Sequence, residues 1–219
     1  MADQMISELT ALTTPADADV IIINDADETP PNLTKKITWA YIKSALKTYF
    51  HTVYSSQIIL ETRDGVPATT AGCGALTQVE IPSNKQNIYV CAFDAATDEN
   101  IDFTKIMPSD WDGGTVTAQY FWAHNGGSAF VVEWACKARA YADGDAADQA
   151  WGAPVITGDT GGTSFDIYIS PVSSAITIAG SPAGGRPVIF RIYRDANHAS
   201  DTLDVDALLL GVIITYTRS

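Results

Sequence analysis

Short apolar runs separated by turn residues dominate the sequence from residue 56 to the C-terminus. In residues 87–94 and 115–123, apolar side chains occupy both faces of a two-residue period, and in residues 100–104 they alternate with polar ones. Both patterns are typical of β-strands, the first of strands that are buried on both sides. Eight to ten such strands in about 160 residues, with no helical period between them, predict a mainly β fold: an antiparallel β-sandwich of the jelly-roll type.

The connections between these runs are rich in glycine, proline and aspartate. Residues 124–128 contain two glycines and separate the strands predicted at 115–123 and 130–141, which indicates a hairpin loop. Further strands are predicted at residues 57–60, 164–169, 175–178, 188–194 and 208–217.

The first fifty residues follow a different pattern. Residues 20–23 are a short apolar run and predict a strand. A 3.6-residue period of apolar side chains predicts an α-helix over residues 39–50, with Thr38 as its N-cap. The apolar stripe of this helix includes Ile42, Leu46 and Tyr49.

These patterns divide the chain into an N-terminal segment of residues 1–50, a linker of residues 51–62 and a β-sandwich domain of residues 63–219. A unit of about fifty residues buries little apolar area, so we expect the first segment to attach to a larger surface. Lysines around the helix form either a solvated face or a docking contact for an acidic partner. The residues predicted to make the attachment are Ile42, Leu46, Tyr49, Lys35 and Lys36.

The chain is strongly acidic. Thirteen basic and 26 acidic residues give a formal charge of −13, which repels nucleic acid and anionic membrane surfaces. No apolar run approaches the ~18–20 residues that a membrane-spanning helix needs, and the N-terminus lacks the basic and apolar regions of a secretory signal. We therefore expect a soluble protein, made in the cytosol, that binds neither nucleic acid nor membrane.

Motifs that indicate catalysis are absent from the sequence: it contains no GxSxG, no phosphate-binding loop and no HExxH. We expect its histidines, His51, His124 and His198, to face solvent in loops. Three cysteines without CxxC spacing predict no disulfide framework, and Cys91 and Cys136 are expected as buried thiols. The aspartates in the loops have three alternative roles: they form turns, they bind calcium, or two of them act as the carboxylate pair of a glycoside hydrolase. We predict a protein that is not an enzyme and carries no cofactor and no metal.

The five tryptophans fall into two groups by position. Trp122 and Trp134 lie inside predicted strands, where we expect them to fill the core. Trp111 and Trp151 stand beside glycine-containing turns, where they either pin the loops or stack on a glycan.

Two sets of segments in the sequence carry a resemblance to a known family. The first set is residues 6–9 (ISEL), 15–20 (PADADV) and 34–39 (TKKITW), and the second is residues 107–118 (MPSDWDGGTVTA), 176–185 (ITIAGSPAGG) and 188–195 (VIFRIYRD). The first set resembles the N-terminal attachment module of tail-fibre, tail-spike and related chains of tailed bacteriophages, and the second resembles phage structural proteins. The resemblance implies a non-enzymatic, trimer-prone component of the virion, and it transfers no catalytic residue.

Three hypotheses follow. The first is a structural component of a tailed-phage virion, assembled in the host cytoplasm: a head decoration, a fibre or a tail-fibre protein. Its N-terminal segment would anchor it to other virion proteins and its β-sandwich would project as a homotrimer, since symmetric association covers exposed strand edges. The alternative is a receptor-binding protein that recognises host-surface glycans through Trp111 and Trp151. The third is a glycan-degrading enzyme, for which 219 residues is short.

Overall fold

The computed structural model describes residues 16, 18, 20–25, 33–53, 56–126 and 130–219. The chain divides into two compact units with a boundary between Tyr54 and Ser55. Residues 51–62, which the sequence predicts as a linker, differ from that expectation. The helix continues to Val53, and the residues from Ser56 form the first strand of the second unit, because their backbone pairs with a long C-terminal strand.

The N-terminal unit contains a two-stranded antiparallel sheet and one helix. β1 (Val20–Asp25) pairs with β2 (Leu33–Thr38), and α1 (Trp39–Val53) follows directly. The Oγ1 of Thr38 accepts a hydrogen bond from the backbone N–H of Tyr41 at 3.1 Å. The predicted helix and its cap are therefore confirmed, and the helix is three residues longer than expected.

The residues predicted to attach the protein lie in β2 and α1. Ile42 is partly buried, whereas Leu46 exposes 48% of its surface. The side chains of Lys35, Lys36 and Tyr49 lie outside the described residues. The attachment role of all five residues stays a prediction.

Within its described residues, the second unit contains twelve strands in two six-stranded sheets. The strands are β3 (Ser56–Glu61), β4 (Val66–Pro67), β5 (Thr77–Glu80), β6 (Asn87–Phe93), β7 (Glu99–Ile106), β8 (Trp111–His124), β9 (Val131–Ala140), β10 (Val155–Thr160), β11 (Tyr168–Ile169), β12 (Ala179–Gly180), β13 (Pro187–Arg194) and β14 (Ala207–Arg218). Sheet I has the order β10-β9-β13-β7-β4, with β12 beside β9. Sheet II has the order β11-β8-β14-β6-β5, with β3 beside β14.

All pairings in both sheets are antiparallel except the two-residue contact between β12 and β9. Strands β6, β7, β8 and β9 alternate between the two sheets, so the predicted antiparallel β-sandwich with jelly-roll organisation is confirmed. The hairpin predicted across residues 124–128 is wrong. β8 pairs with β14 and β9 pairs with β13, so the two strands belong to opposite sheets and pack their apolar residues on the core between them.

Aromatic side chains from both sheets meet in this core. Trp134 of sheet I stacks on Tyr120 of sheet II, with ring centroids 5.8 Å apart, and meets Phe93 edge-on at 5.2 Å. Trp122 lies beside Trp134 at 6.4 Å. Both tryptophans are fully buried, which confirms their predicted core position. The expected buried thiols of Cys91 and Cys136 are confirmed as well.

An irregular segment covers the outer edge of β8. The sequence predicts strands in this segment at residues 164–169 and 175–178. Only the two-residue strand β11 and a single bridge between Ile176 and Val116 form there. Between them, the hydroxyls of Ser170 and Ser173 each accept a backbone N–H of β8, both at 2.9 Å. Their own N–H groups donate to β8 carbonyls, so side chains complete an edge that would otherwise be open for pairing.

A buried arginine fastens the loop that joins β13 to β14. Arg194 has no exposed surface, and its guanidinium donates to both carboxylate oxygens of Asp201, at 3.0 and 2.7 Å. The same group donates to the carbonyl of Val205 at 2.8 Å and to that of Leu203. The hydrogen bonds of the buried Arg194 side chain therefore fix the loop of residues 195–206 against the sandwich.

Candidate functional site

Four strands of sheet I place side chains in one transverse row. Arg191 on β13 is in register with Lys137 on β9 and with Asp102 on β7. Asp102 is in turn opposite Val66 on β4. Because strand residues alternate between faces and the neighbours of these residues are buried in the core, the row lies on the outer face of sheet I. Four strands at the usual spacing give a row about 14 Å long. We call it the outer row.

An ion pair with two hydrogen bonds occupies the centre of the outer row. Arg191 Nε donates to Asp102 Oδ1 at 2.7 Å, and Nη2 donates to Oδ2 at 2.6 Å. This hydrogen bonding raises the pKa of Arg191 above its usual value. Both side chains remain about one quarter exposed, so the pair is accessible at the surface.

Two aromatic rings flank the row. Trp151 comes from the segment between β9 and β10, and the guanidinium carbon of Arg191 lies 4.7 Å from its ring centre. Tyr193 follows Arg191 on the same face of β13, and Lys137 Nζ lies 5.4 Å from its ring centre. The same ammonium lies 5.9 Å from the ring of Trp151. Each cation therefore lies against at least one aromatic face.

The position of Trp151 is set by the segment on either side of it. Arg139 Nη1 donates to the carbonyl of Ala150 at 2.8 Å, and the N–H of Gly152 donates to the carbonyl of Ala138 at 3.3 Å. A Cβ at Gly152 would lie 2.6 Å from the carbonyl oxygen of Thr177, so only glycine allows this close approach. The backbone around Trp151 is thus held against sheet I.

The electrostatics of the row differ from those of an ordinary surface. Burial and the neighbouring Arg191 charge lower the pKa of Lys137 below its usual value. Burial, with the charges of Asp195 and Asp98, raises the pKa of Tyr193 to about 12.

A shallow polar pocket continues the row toward β4. It has a volume of about 370 Å³ and is lined by residues 66–70 together with Asp102 and Arg191. Thr69 and Thr70 belong to this lining. The ion pair therefore forms one wall of a pocket, with the two rings on its other side.

The structure separates the two tryptophans predicted as glycan contacts. Trp151 lies at the outer row and is partly buried, so part of its surface is accessible. Trp111 is only 2% exposed and belongs to the hydrophobic core, so it does not reach a ligand at the surface. It begins β8, which starts four residues earlier than the pattern indicates, and its side chain is buried in the core.

Three other residues of the site were missed by sequence reasoning: Asp102, Lys137 and Arg191. The two-residue period of β13, in which Arg191 and Tyr193 alternate with buried apolar residues, is the signal that marks one outer face. No sequence signal shows that the other strands align with it.

The remaining sequence candidates take structural roles. His124 was expected to face solvent but is fully buried, and its ring lies parallel to that of Tyr168, 5.5 Å away. Burial lowers its pKa. Asp94 Oδ1 accepts the N–H groups of Ala96 and Thr97, which confirms the expected turn-forming role for this loop aspartate.

The described residues contain neither a metal-binding cluster nor a membrane-spanning helix. In the described parts of the chain, no three His, Cys, Asp or Glu side chains come together in a way that could hold a metal ion. No helix in these same ranges is long and apolar enough to cross a membrane.

Comparisons with known proteins show only distant structural likenesses. No family model and no curated protein sequence matches this chain. Among solved structures, the CBM22-1–GH10 modules of Clostridium thermocellum xylanase 10B with xylohexaose are similar over 75% of this chain, with 12% identity and a TM-score of 0.44. The chain spans only 28% of that protein. The CBM22-2 xylan-binding domain of Paenibacillus barcinonensis Xyn10C is similar over 73% of this chain and 99% of its own length, with 15% identity and a TM-score of 0.42. At TM-scores below 0.5, these likenesses carry no conclusion.

Proposed function

We propose that this protein is a non-enzymatic glycan-binding protein that holds carbohydrate on the outer face of sheet I. The observation that carries the proposal is the outer row itself, in which Arg191 and Asp102 form an accessible ion pair between the ring of Trp151 and a polar pocket. A pyranose ring has apolar C–H faces and a rim of hydroxyls. It therefore suits a site that combines an aromatic face with fixed donors and acceptors.

The charge of the molecule disfavours nucleic acid as the ligand. With a net charge of −13, the protein repels the dense phosphate backbone of nucleic acid at long range. Sugar hydroxyls can donate to the carboxylate of Asp102 and accept from the guanidinium of Arg191. Arg191 and Asp102 are already paired with each other, so such a ligand gains hydrogen bonds without separating the pair.

Binding of the wild-type protein to an array of bacterial surface glycans tests this proposal. We expect retention of a defined subset of oligosaccharides, without release of reducing ends on incubation. Failure to bind any glycan on the array would contradict the proposal, and progressive release of reducing ends would contradict its non-enzymatic part.

We also propose that the protein acts as a component of a tailed-phage virion, a head decoration, fibre or tail-fibre protein, as the sequence resemblance implies. What supports this is the division into two separate compact units and the exposed Leu46 on the helix of the first unit. In this proposal the N-terminal unit anchors the chain to other virion proteins and the β-sandwich meets the host glycan.

Removing residues 1–54 is expected to abolish attachment to phage particles while the β-sandwich stays folded. The cut follows the boundary between the two units, and all strands of both sandwich sheets lie after it. Co-sedimentation with particles that lack the protein measures attachment, and circular dichroism measures folding. Full-length protein is the control. Attachment of the truncated chain at the full-length level would place the anchor elsewhere.

We propose a homotrimer as the assembled form. Sheet II carries several exposed apolar side chains, among them Ile59 (60% exposed) and Ile169 (56% exposed), which self-association would cover. Light scattering at micromolar concentration is expected to give the mass of three 23.4 kDa chains, about 70 kDa. A stable monomer at that concentration would contradict the trimer.

A further inference from the structure

Lys137 is a cation without an ionic partner in the middle of the outer row. Two other lysines of the sandwich pair with carboxylates: Lys105 with Asp64 at 2.8 Å and Lys85 with Glu80 at 3.2 Å. Lys137 makes no ion pair with any residue in the part of the chain that the structure describes. Its ammonium instead lies between the rings of Trp151 and Tyr193.

The nearest carboxylate in the row is already in use. Both oxygens of Asp102 accept hydrogen bonds from Arg191, through Nε and Nη2. Arg191 Nη1 makes no hydrogen bond within the described residues. The row thus presents the charge of Lys137 and the two unused N–H donors of Arg191 Nη1 on the same side of sheet I.

Holding the Lys137 ammonium beside Arg191 costs free energy unless an anion binds between the two cations. Two cations in register on adjacent strands repel each other, and partial burial removes water that would otherwise solvate the ammonium. The described acidic side chain that attracts the Lys137 ammonium is Asp102, and both of its oxygens already accept hydrogen bonds from Arg191. An anionic group of a ligand would supply the missing charge, and the two rings would keep water away from the contact.

We infer that the glycan bound at the outer row is acidic, and that its carboxylate or sulfate group is held between Lys137 Nζ and Arg191 Nη1. This inference rests on the proposed function. The sugar that carries the anion lies against the ring of Trp151 or Tyr193, and the chain of the glycan runs along the row toward the pocket at residues 66–70. The contact selects acidic over neutral sugars.

Matched oligosaccharides test the inference. Titrations would compare tri-galacturonic acid, the same trisaccharide after reduction of its carboxyl groups, and a sulfated galactose trisaccharide. We expect wild-type protein to bind at least one acidic form at least about tenfold more tightly than the neutral form. This preference is expected to shrink as salt is raised. The sulfated arm distinguishes a sulfate from a carboxylate as the preferred anion.

Charge variants of Lys137 separate this contact from the rest of the site. Lys137→Met keeps most of the length of the side chain and is expected to abolish the preference for the acidic form over the neutral form. Lys137→Arg is expected to retain the preference. Lys85→Met, in the turn that joins β5 and β6, is the control and is expected to behave as wild type.

The possible failures are distinguishable. Equal or tighter binding of the neutral trisaccharide by wild-type protein would overturn the inference and leave the proposed function standing. A preference that survives in Lys137→Met would also overturn it, because the selectivity would then come from other residues. Absence of binding to these trisaccharides and to every glycan of the array would overturn the proposed function, and this inference with it.

Discussion

Replacing Trp151 with alanine is expected to weaken glycan binding at least about 30-fold and to leave the β-sandwich folded. Truncating an aromatic anchor at the centre of a binding site costs about 2 kcal/mol or more, which corresponds to this factor. The effect on stability is much smaller. Trp151 lies outside the hydrophobic core, and its contacts with the Arg191 and Lys137 cations contribute roughly 0.5–1 kcal/mol each at a partly exposed site. Isothermal titration with a glycan from the array measures the loss.

A matched control exists on the other sheet. Tyr89 exposes 48% of its surface, and the guanidinium of Arg63 lies 5.6 Å from its ring centre. Tyr89→Ala therefore removes an exposed aromatic ring with a cation above it, but from sheet II, and we expect unchanged binding. Trp151→Phe, which keeps a flat ring, is expected to bind with intermediate affinity. Equal losses in Trp151→Ala and Tyr89→Ala would show that the outer row is not the binding site.

Replacing Arg194 with methionine is expected to lower the free energy of unfolding by about 3–5 kcal/mol. The side chains of Arg194 and Asp201 are 0% and 1% exposed, so removing the guanidinium leaves a buried carboxylate without its partner. The carbonyls of Val205 and Leu203 also lose their donor. Urea unfolding followed by tryptophan fluorescence measures the change as a lower midpoint.

Arg191 is the internal control for this prediction. It lies on the same strand and also pairs with an aspartate through two hydrogen bonds, but its pair is about one quarter exposed. Arg191→Met is expected to cost at most about 1 kcal/mol. The double change Arg194→Met with Asp201→Asn should recover part of the loss, because it leaves no unpaired charge. A loss in Arg194→Met no larger than in Arg191→Met would contradict the role of burial.

The parts of the fold that could be predicted are those that local patterns encode. The period of α1 and the hydroxyl of Thr38 specify a helix and its start within a few neighbouring residues. Likewise, the apolar faces of β6, β8 and β9 identify strands, and they place Trp122 and Trp134 inside. The pairing partners of the strands could not be predicted from these local patterns. The assignment of β8 and β9 to opposite sheets depends on pairing with β14 and β13, which lie far along the chain.

The candidate site was harder to predict for the same reason. Its three central residues are separated by dozens of positions, and Arg191 and Asp102 are 89 residues apart. Only the register of β7, β13 and β9 brings them into one row. Trp151 was found because a tryptophan beside a turn stands out in a sequence. Trp111 has the same sequence context but is buried, since it begins a strand that packs into the core.

Nuclear magnetic resonance of the five tryptophan indole N–H groups during titration with a glycan selected from the array tests the central claim most directly. The account predicts that the Trp151 signal shifts with increasing ligand, while those of Trp111, Trp122 and Trp134, which are buried, stay in place. Shifts confined to Trp39 in the N-terminal unit, or saturation of binding with the Trp151 signal unmoved, would contradict a glycan site on the outer face of sheet I.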